Sequence, residues 1–335
     1  MKAIVYNTPG LPIQDAQSLF EHDLPKPAPG ARDLLVEVKA IAVNPVDTKI
    51  RASRSGDGPQ VLGWDAVGIV REVGAQVSLF QPGDEVFYAG AIDRPGTYSE
   101  FHLVDERIVG HKPHTLDDAS AAALPLTSIT AWELLFDRLG VQENGGDGQR
   151  LLIIGAGGGV GSILLQLARK LTHLTVIGTA SRPETQAWVA ELGAHHVIDH
   201  SASIALQLEQ LKLNPVDYVI SLTHTDAYLA QIVDVLRPQG KLALIDDPAH
   251  LDIVPFKRKS LSVHWELMFT RSLYQTEDMI KQHQLLERVS ALVDEGVIKT
   301  TVGEHYGSIT ADNLKRAHAV IEGGKAKGKI VLEGF

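Results

Sequence analysis

The first 125 residues carry short apolar segments, separated by turns, of the length that is typical of β-strands. Leu34–Val43 alternates in part between apolar and polar side chains. Three further segments are rich in β-branched and aromatic residues, namely Val67–Val73, Glu85–Tyr88 and Tyr98–Val104. Glycine and proline turn signals lie between them. The pattern predicts a small antiparallel β-barrel, closed or partly closed.

The pattern changes near Pro125, where strands begin to alternate with helices. Leu126–Leu139 has a helical pattern. Short apolar strands follow at Leu151–Ile154, Leu174–Gly178, His196–Asp199, Val216–Leu222 and Lys241–Ile245. The helices between them are predicted to begin near Gly159, Pro183, Ser203 and Thr225. This alternation requires parallel strands with crossover helices, and it predicts an α/β fold with a doubly wound Rossmann sheet.

Beyond an apolar segment at Leu261–Met268, the pattern is mixed again. Helices are predicted at Met279–Asp294 and Ala311–Glu322, and strands at Thr301–Tyr306 and Lys329–Leu332. The last part of the chain therefore does not continue the strand–helix alternation.

A glycine-rich turn joins the first predicted strand of the Rossmann segment to its helix. The turn runs from Gly155 to Gly161, and departs from a strict G-x-G-x-x-G spacing. Its first glycine permits a tight turn, and its middle residues let backbone N–H groups approach a pyrophosphate at the helix N-terminus. The turn therefore predicts dinucleotide binding through Gly155, Gly157, Gly158, Gly159 and Val160; a glycine-rich packing turn that binds nothing is the alternative.

The end of the second Rossmann strand indicates which dinucleotide is bound. An NAD enzyme needs an acidic residue here for the ribose diol, whereas this strand runs into Ser181 and Arg182. Arg182 would pair with the 2′-phosphate of NADPH, and Ser181 would donate a hydroxyl hydrogen bond to it. A charge-assisted bond of about 1.5–3 kcal/mol predicts a preference for NADPH of roughly ten- to hundredfold. A solvated arginine before Pro183 is the alternative.

Composition and charge exclude several other classes of function. The chain has 335 residues, with 31 basic and 41 acidic side chains and a formal net charge of −10, which disfavours a nucleic-acid partner. Cysteine is absent, which excludes disulfides, thiol nucleophiles and cysteine-ligated zinc. Met1–Tyr6 lacks the apolar core of a signal peptide, and the uncharged segment Leu151–Ala168 is interrupted by glycines. We therefore expect a cytoplasmic protein without a membrane partner.

Six motifs in their order along the chain resemble the medium-chain dehydrogenase/reductase superfamily, and within it the zinc-free quinone oxidoreductase branch with its "zinc-type alcohol dehydrogenase-like" subgroup. They are Ala42–Asp47, Leu62–Gly68, Pro82–Val86, Thr130–Trp132, Gly155–Gly161 and Leu236–Lys241. The resemblance implies a GroES-like β-barrel catalytic domain at 1–125 and 270–335, with a Rossmann NADP-binding domain inserted at 126–269. It also implies a homodimer.

The departures from the zinc-dependent relatives concern the metal ligands. Where those relatives carry a cysteine, a histidine and a second cysteine, this chain aligns Asn44, Trp64 and a position near Leu126. The four-cysteine structural lobe is also missing. An amide, an indole and an aliphatic side chain cannot form a tetrahedral zinc site, so we predict no metal.

Zinc-free chemistry favours a conjugated acceptor over a simple ketone, because the reduction of a simple ketone would lack Lewis-acid stabilisation of the alkoxide. The resemblance implies that Asn44 and Thr130 face the nicotinamide region, that Thr127 contributes, and that Trp64 walls the substrate pocket. For each side chain a structural role is the alternative: an Asn-Pro turn, a hydroxyl bonded to helix backbone, or core packing. His200 is predicted to bond the adenosine phosphate, with a surface histidine as the alternative.

The sequence therefore predicts an NADPH-dependent reductase of quinones or enones. An alkenal or enoyl double-bond reductase is one alternative, and a non-catalytic NADPH-binding protein is another.

Overall fold

The computed structural model describes all residues from 1 to 335. The chain divides into two compact units: the first comprises Met1–Ile129 and Phe269–Phe335, and the second comprises Thr130–Met268. The boundaries predicted from sequence lay at 125/126 and 269/270. The first division differs because one helix, Pro125–Trp132, runs across it.

The first unit contains ten strands in two sheets. They are β1 (Lys2–Tyr6), β2 (Phe20–Asp23), β3 (Asp33–Val43), β4 (Gln60–Val61), β5 (Asp65–Val73), β6 (Glu85–Ala89), β7 (Phe101–Asp105), β8 (Val109–His111), β15 (Val302–His305) and β16 (Lys329–Glu333). The small sheet has the order β2-β1-β4, and the larger has the order β15-β16-β3-β5-β6-β8, with β7 also paired to β3.

Strand β3 organises the larger sheet because both of its edges are occupied. β5 pairs antiparallel along one edge, while β7 pairs with the first half of β3 and β16 with its last four residues, Ala40–Val43. Every pairing in this sheet is antiparallel except that of β15 with β16. This arrangement places β16 directly against the end of β3, where the polar centre described below is built.

The helices of the first unit cover this sheet and connect its strands. They are α1 (Pro45–Ser53), α2 (Asp118–Ala122), α8 (Thr270–Leu273), α9 (Ile280–Asp294) and α10 (Ala311–Glu322), and α3 (Pro125–Trp132) begins here. A 3-10 turn lies at Glu106–Ile108. α1 begins directly after β3, because Pro45 occupies its first turn and removes an N–H that would have no partner there.

The second unit is a parallel six-stranded sheet. Its strands are β9 (Arg150–Ile154), β10 (Thr175–Thr179), β11 (His196–Ile198), β12 (Val216–Ser221), β13 (Leu236–Leu244) and β14 (Ser262–Trp265). The order β11-β10-β9-β12-β13-β14 reverses direction at β9, which is the topology of a dinucleotide-binding sheet. The Rossmann fold class predicted from the strand–helix alternation is thereby confirmed.

The helices of the second unit follow its strands at the predicted places. They are α4 (Gly159–Leu171), α5 (Pro183–Glu191), α6 (Ile204–Gln210) and α7 (Thr225–Val235), with a π-helical segment at Glu133–Arg138 and a 3-10 segment at Val254–Lys259. The strands are apolar throughout because both faces of the sheet are covered, so Leu152, Val219 and Leu242 are fully buried. The sheet edge at the carboxyl ends of the strands is therefore held by a rigid core.

Two segments have a length and an apolar composition close to those of a membrane-spanning helix. Leu151–Ala168 proves to be strand β9, the glycine turn and most of α4. The helical segment Asp118–Arg138 is long and apolar enough to cross a membrane, but 83% of its apolar 18-residue stretch is buried inside the structure. Burial of that kind is typical of the core helix of a folded protein.

Candidate active site

The glycine turn of the second unit closes tightly between β9 and α4. Gly155 adopts a φ of +82°, which favours glycine, and its N–H donates to the Thr179 hydroxyl at 3.2 Å. A Cβ on Gly161 would lie 2.4 Å from the Ala156 carbonyl oxygen, so this glycine is required by the turn's own backbone.

The centre of the turn is open. The nearest atom to a Cβ built on Gly158 would be the Gly155 carbonyl oxygen at 3.6 Å, while one on Gly157 would meet the Thr185 side chain at 3.3 Å. Gly158 is the N-cap of α4, and no side chain caps this helix. Gly159 and Val160 open the helix, whose N-terminus carries the equivalent of about half a positive charge. The turn therefore offers backbone donors and space to an anion.

Ser181 and Arg182 follow strand β10 at the same sheet edge. Ser181 is exposed, and Arg182 is the N-cap of α5, with its side chain 43% exposed and its Nε 3.4 Å from a Glu184 carboxylate oxygen. No carboxylate stands between Thr179 and Arg182. The position that would favour an unphosphorylated ribose therefore carries a guanidinium instead.

His200 lies just beyond β11 and is tied to the turn through Thr179. Its Nδ1 is 3.3 Å from the Thr179 hydroxyl, and its ring packs edge-on to Tyr228. Burial lowers the pKa of His200, an effect that Asp199 opposes. Sequence reasoning missed Thr179, although a hydroxyl that ends the second strand beside Gly155 was a readable signal.

The first unit holds a buried polar centre around Asn44, the N-cap residue of α1. Asn44 and Asp47 form a capping box at the start of α1, and the Asn44 amide also bonds side chains outside this helix. Its Nδ2 donates to Asp65 at 2.8 Å, its Oδ1 accepts from the Lys329 ammonium, and its second amide hydrogen has only the Ala42 carbonyl at 3.4 Å. Asn44 is 1% exposed.

Asp65 is the hub of this centre. One carboxylate oxygen accepts from Asn44 and from Lys329 Nζ at 3.0 Å, and the other accepts the backbone N–H of Leu126 at 2.7 Å. Asp65 is fully buried, and Lys329 is 3% exposed. A buried charge is tolerated only when it is paired and hydrogen-bonded, and this arrangement meets both conditions.

A second chain of hydrogen bonds reaches the centre through Asp47. Its carboxylate accepts the Asn44 N–H and the Tyr98 hydroxyl, both at 2.8 Å, and Tyr98 is in turn 3.2 Å from His318 Nε2. Burial raises the pKa of Asp47 to about 7, an effect that its two hydrogen bonds and Lys329 oppose. Burial also lowers the pKa of His318 to about 3, so that its ring is neutral near neutral pH.

The remaining predicted side chains have structural partners. Trp64 is 1% exposed, donates its indole N–H to the Ala91 carbonyl at 3.0 Å and packs edge-on to Phe269. The Thr127 hydroxyl lies 3.2 Å from the carbonyl oxygen of Leu124, the residue that precedes its helix α3. Thr130 is 5% exposed on the same helix. The catalytic roles of these residues stay predictions. The contacts of Trp64 and Thr127 are those expected for the alternative structural roles, which are core packing and a hydroxyl bonded to backbone.

Comparison with known proteins places these features in a family. The alcohol dehydrogenase GroES-like domain family matches residues 30–114, and the zinc-binding dehydrogenase family matches residues 192–332. A zinc-type alcohol dehydrogenase-like protein of Staphylococcus aureus is 37% identical over 99% of both chains. This chain belongs to the medium-chain dehydrogenase/reductase superfamily. The superfamily includes proteins named as oxidoreductases, which supports the oxidoreductase activity that the sequence resemblance predicted.

Two solved structures of the superfamily superpose over the whole chain. A candidate zinc-dependent alcohol dehydrogenase from Rhizobium etli CFN 42 is 59% identical, with a TM-score of 0.97 over 100% of this chain and 98% of its own. The quinone oxidoreductase from Coxiella burnetii is 28% identical, with a TM-score of 0.83 over 100% and 99%. The GroES-like and Rossmann architecture is therefore confirmed.

Several of these names imply zinc, and the side chains of this chain do not fit it. By the resemblance, the three zinc-ligand positions fall at Asn44, at Trp64 and near Leu126, and no group of three His, Cys, Asp or Glu side chains is placed to hold a metal ion. The one carboxylate between them, that of Asp65, already accepts from the ammonium of Lys329. A zinc ion there would have to displace this lysine and would still lack nitrogen or sulfur ligands.

Proposed function

We propose that this protein is a zinc-independent, NADPH-dependent reductase that transfers hydride to quinones or α,β-unsaturated carbonyl compounds. The observation that supports the cofactor is the open, uncapped turn at Gly158, followed at the same sheet edge by Arg182 in place of an acidic residue. The superfamily membership and the likeness to a quinone oxidoreductase support the same class of reaction.

The residues of the second unit fit a phosphorylated dinucleotide. The backbone of Gly157, Gly158, Gly159 and Val160 would donate to the pyrophosphate, because no side chain caps this helix N-terminus and none lies within 4 Å of a Cβ built on Gly158. Ser181 and Arg182 would hold the 2′-phosphate, and Arg182 is exposed enough to turn toward it. His200 would add a hydrogen bond near the adenosine phosphate. When bound, NADPH supplies the hydride.

The first unit supports a conjugated acceptor because its buried centre offers hydrogen bonds rather than a Lewis acid. The second Nδ2 hydrogen of Asn44 has only a long, weak contact with Ala42, so it is the donor that a developing enolate oxygen could recruit. Thr130 and Thr127 are the further proposed donors, and Trp64 is proposed as a flat apolar wall. A delocalised enolate needs less stabilisation than an alkoxide, which favours quinones and enones over simple ketones.

A substrate panel with purified protein tests this function. We expect NADPH oxidation with at least one quinone or short enone, a slower rate with NADH, and no loss of activity after dialysis against a metal chelator. Faster turnover of alkenals than of quinones would move the protein to the double-bond reductases. Tight NADPH binding without oxidation by any acceptor would contradict the proposal and favour a non-catalytic binding protein.

We also propose that the protein forms a homodimer. The resemblance implied this state, and strand β14 supports it because it is the outer strand of the sheet in the second unit. Trp265 and Leu267 are 52% and 50% exposed beside that edge, where an unpaired strand would favour association. Size-exclusion chromatography with light scattering tests the state, and a monomer across micromolar concentrations would contradict it.

A further inference from the structure

Lys329 belongs to the buried centre, but neither the motifs nor the proposed reaction uses it. It is the first residue of β16, and its Nζ donates to the Val43 carbonyl and to Asp65, both at 3.0 Å, and to the Asn44 side-chain oxygen. A lysine that is 3% exposed is rare unless it is paired. All three acceptors of its ammonium lie at the end of β3 or the start of β5.

The charges of the centre require a cation at this place. Asp65 is fully buried, and Asp47 lies in the same centre and is also fully buried. Lys329 acts on both carboxylates: it bonds Asp65 directly, and its charge opposes the rise of the Asp47 pKa.

We propose that Lys329 is the resident cation of this centre and the positioning residue for Asn44, and that the centre takes no zinc. The catalytic part of this inference rests on the proposed function, because it assumes that Asn44 donates to the substrate. Lys329 itself is not proposed to touch the substrate.

The geometry fixes the Asn44 amide in one of its two orientations. With Oδ1 toward Lys329 and Nδ2 toward Asp65, both contacts are favourable. The flipped amide would place its NH2 group against the ammonium and its oxygen against the carboxylate. Lys329 and Asp65 together therefore determine the direction in which the second Nδ2 hydrogen points.

Nuclear magnetic resonance tests the positioning role without an activity assay. The chain has five asparagines, so protein labelled with ¹⁵N-asparagine gives five side-chain NH2 pairs, and Asn44→Ser identifies the pair of Asn44. We expect this pair to exchange slowly with water in the wild type, and to shift and exchange at least tenfold faster in Lys329→Met. An unchanged pair in a folded Lys329→Met variant would overturn the proposal.

Lys112→Met is the matched control. Lys112 is another buried lysine of the first unit, 8% exposed and paired with Asp118 at 2.6 Å and Glu85 at 3.1 Å. Its loss should lower the melting temperature but leave both the Asn44 pair and kcat within about twofold of the wild type. An equal effect of both lysines on the Asn44 pair would show a merely structural role and would overturn the proposal.

Enzyme kinetics distinguish a positioning role of Lys329 from a contribution to the stability of the protein alone. In Lys329→Met we expect kcat to fall at least tenfold while the Kd for NADPH changes less than twofold. Lys329→Met/Asp65→Asn removes both buried charges, which keeps the test available should the single variant not fold. We expect the double variant to regain the melting temperature but not kcat, and recovery of kcat would overturn the positioning role.

Metal analysis tests the last part of the proposal. Wild-type protein incubated with excess Zn²⁺ and then desalted should retain far less than one equivalent. One equivalent of zinc that is lost in Asp65→Asn would overturn the assignment of Lys329 as the resident cation. Failure of the wild type to oxidise NADPH with any acceptor would contradict the proposed function, while the resonance and zinc experiments would still test Lys329.

Discussion

The Gly155–Gly161 turn is defined by its backbone and by the space that its glycines leave, whereas the centre around Asp65 depends on side chains brought together from distant parts of the chain. In the turn, Gly158 matters because it leaves space, and Gly161 because a side chain would strike the Ala156 backbone. In the centre, Asn44 and Lys329 matter because of the atoms they carry, and they are 285 positions apart. The turn is thus a local structure, and the centre is a product of the tertiary fold.

This difference predicts how each region responds to change. A local backbone structure should lose stability when a Cβ is added to one of its glycines, and this loss should depend little on pH. A buried network of charges should tolerate small changes in shape but respond to pH and to the loss of a partner. The predictions below are arranged to challenge this contrast, from the largest expected effect to the smallest.

Gly161→Ala should produce the largest loss of stability. Its Cβ would lie 2.4 Å from the Ala156 carbonyl oxygen, so the turn would have to move, at a cost on the order of 3 kcal/mol. Urea unfolding measures the change. Gly158→Ala is the control, because its Cβ meets nothing closer than 3.6 Å. It should cost less than about 1 kcal/mol in stability but still weaken NADPH binding. Equal losses of stability in the two variants would contradict the packing argument.

Asp47→Asn should change how stability depends on pH. The pKa of Asp47 is about 7 in the folded protein, above its ordinary 3.8, so the folded state holds the extra proton between these values. Wild-type stability therefore loses up to about 1.4 kcal/mol per pH unit in that interval through this group. Relative to the wild type, the variant should gain at most about 3 kcal/mol between pH 5 and pH 8.

Comparison with a second carboxylate checks the sign of this effect. Asp278 accepts from Arg271 and Thr276, which lower its pKa to about 2, so its stabilising effect is present above about pH 4 and is lost as the pH falls toward 2. Because its side chain is 42% exposed, the effect of Asp278→Asn should be small. Thermal unfolding at pH 3 to 8 gives the stability of each variant relative to the wild type at the same pH, a difference in which the contribution of His318 cancels. As the pH rises, this difference should increase for Asp47→Asn and decrease for Asp278→Asn. Parallel slopes would show that Asp47 is not perturbed by burial.

Arg182→Ala should weaken NADPH binding by roughly ten- to hundredfold and leave NADH binding unchanged, because only the 2′-phosphate is lost as a partner. Fluorescence titration with both coenzymes measures this. Glu184→Gln is the matched control: it removes the neighbouring carboxylate, 3.4 Å from Arg182 Nε, and should not weaken NADPH binding. A variant of Arg182 that kept its full preference for NADPH would defeat the assignment.

Thr179→Val should have the smallest effect, and it tests whether the turn also depends on a side chain. The Thr179 hydroxyl accepts the Gly155 N–H and lies 3.3 Å from His200 Nδ1, so its loss should cost about 1 kcal/mol of stability and a few-fold in NADPH affinity. Thr175→Val, at the start of the same strand, should change neither. A loss as large as that of Gly161→Ala would remove the contrast between backbone and side-chain regions.

The sequence predicted the second unit well because its signals are local. The strand–helix alternation and the turn at Gly155 are each contained in a few consecutive residues, and the structure confirms the strand, the turn and the helix at Gly159. The predicted roles of Arg182 and His200 in cofactor binding stay predictions.

The first unit was predicted less completely because its site depends on burial. Asn44 was singled out, but nothing local shows that Lys329 points inward, since a lysine at the start of a strand is usually exposed. Leu126 acts through its backbone N–H, which its side chain cannot reveal. The sequence predicted a strand from Tyr98, but the strand begins at Phe101. Tyr98 lies before it and donates its hydroxyl to Asp47.

The ion pair between Lys329 and Asp65 also has a consequence for biosynthesis. The two residues are 264 positions apart, and the whole of the second unit lies between them in the chain. During translation the ribosome must therefore complete Thr130–Met268 before the Asp65 carboxylate can meet its ammonium. All strands of the second unit are synthesised earlier, so this unit can fold before the last strand of the first unit has left the ribosome.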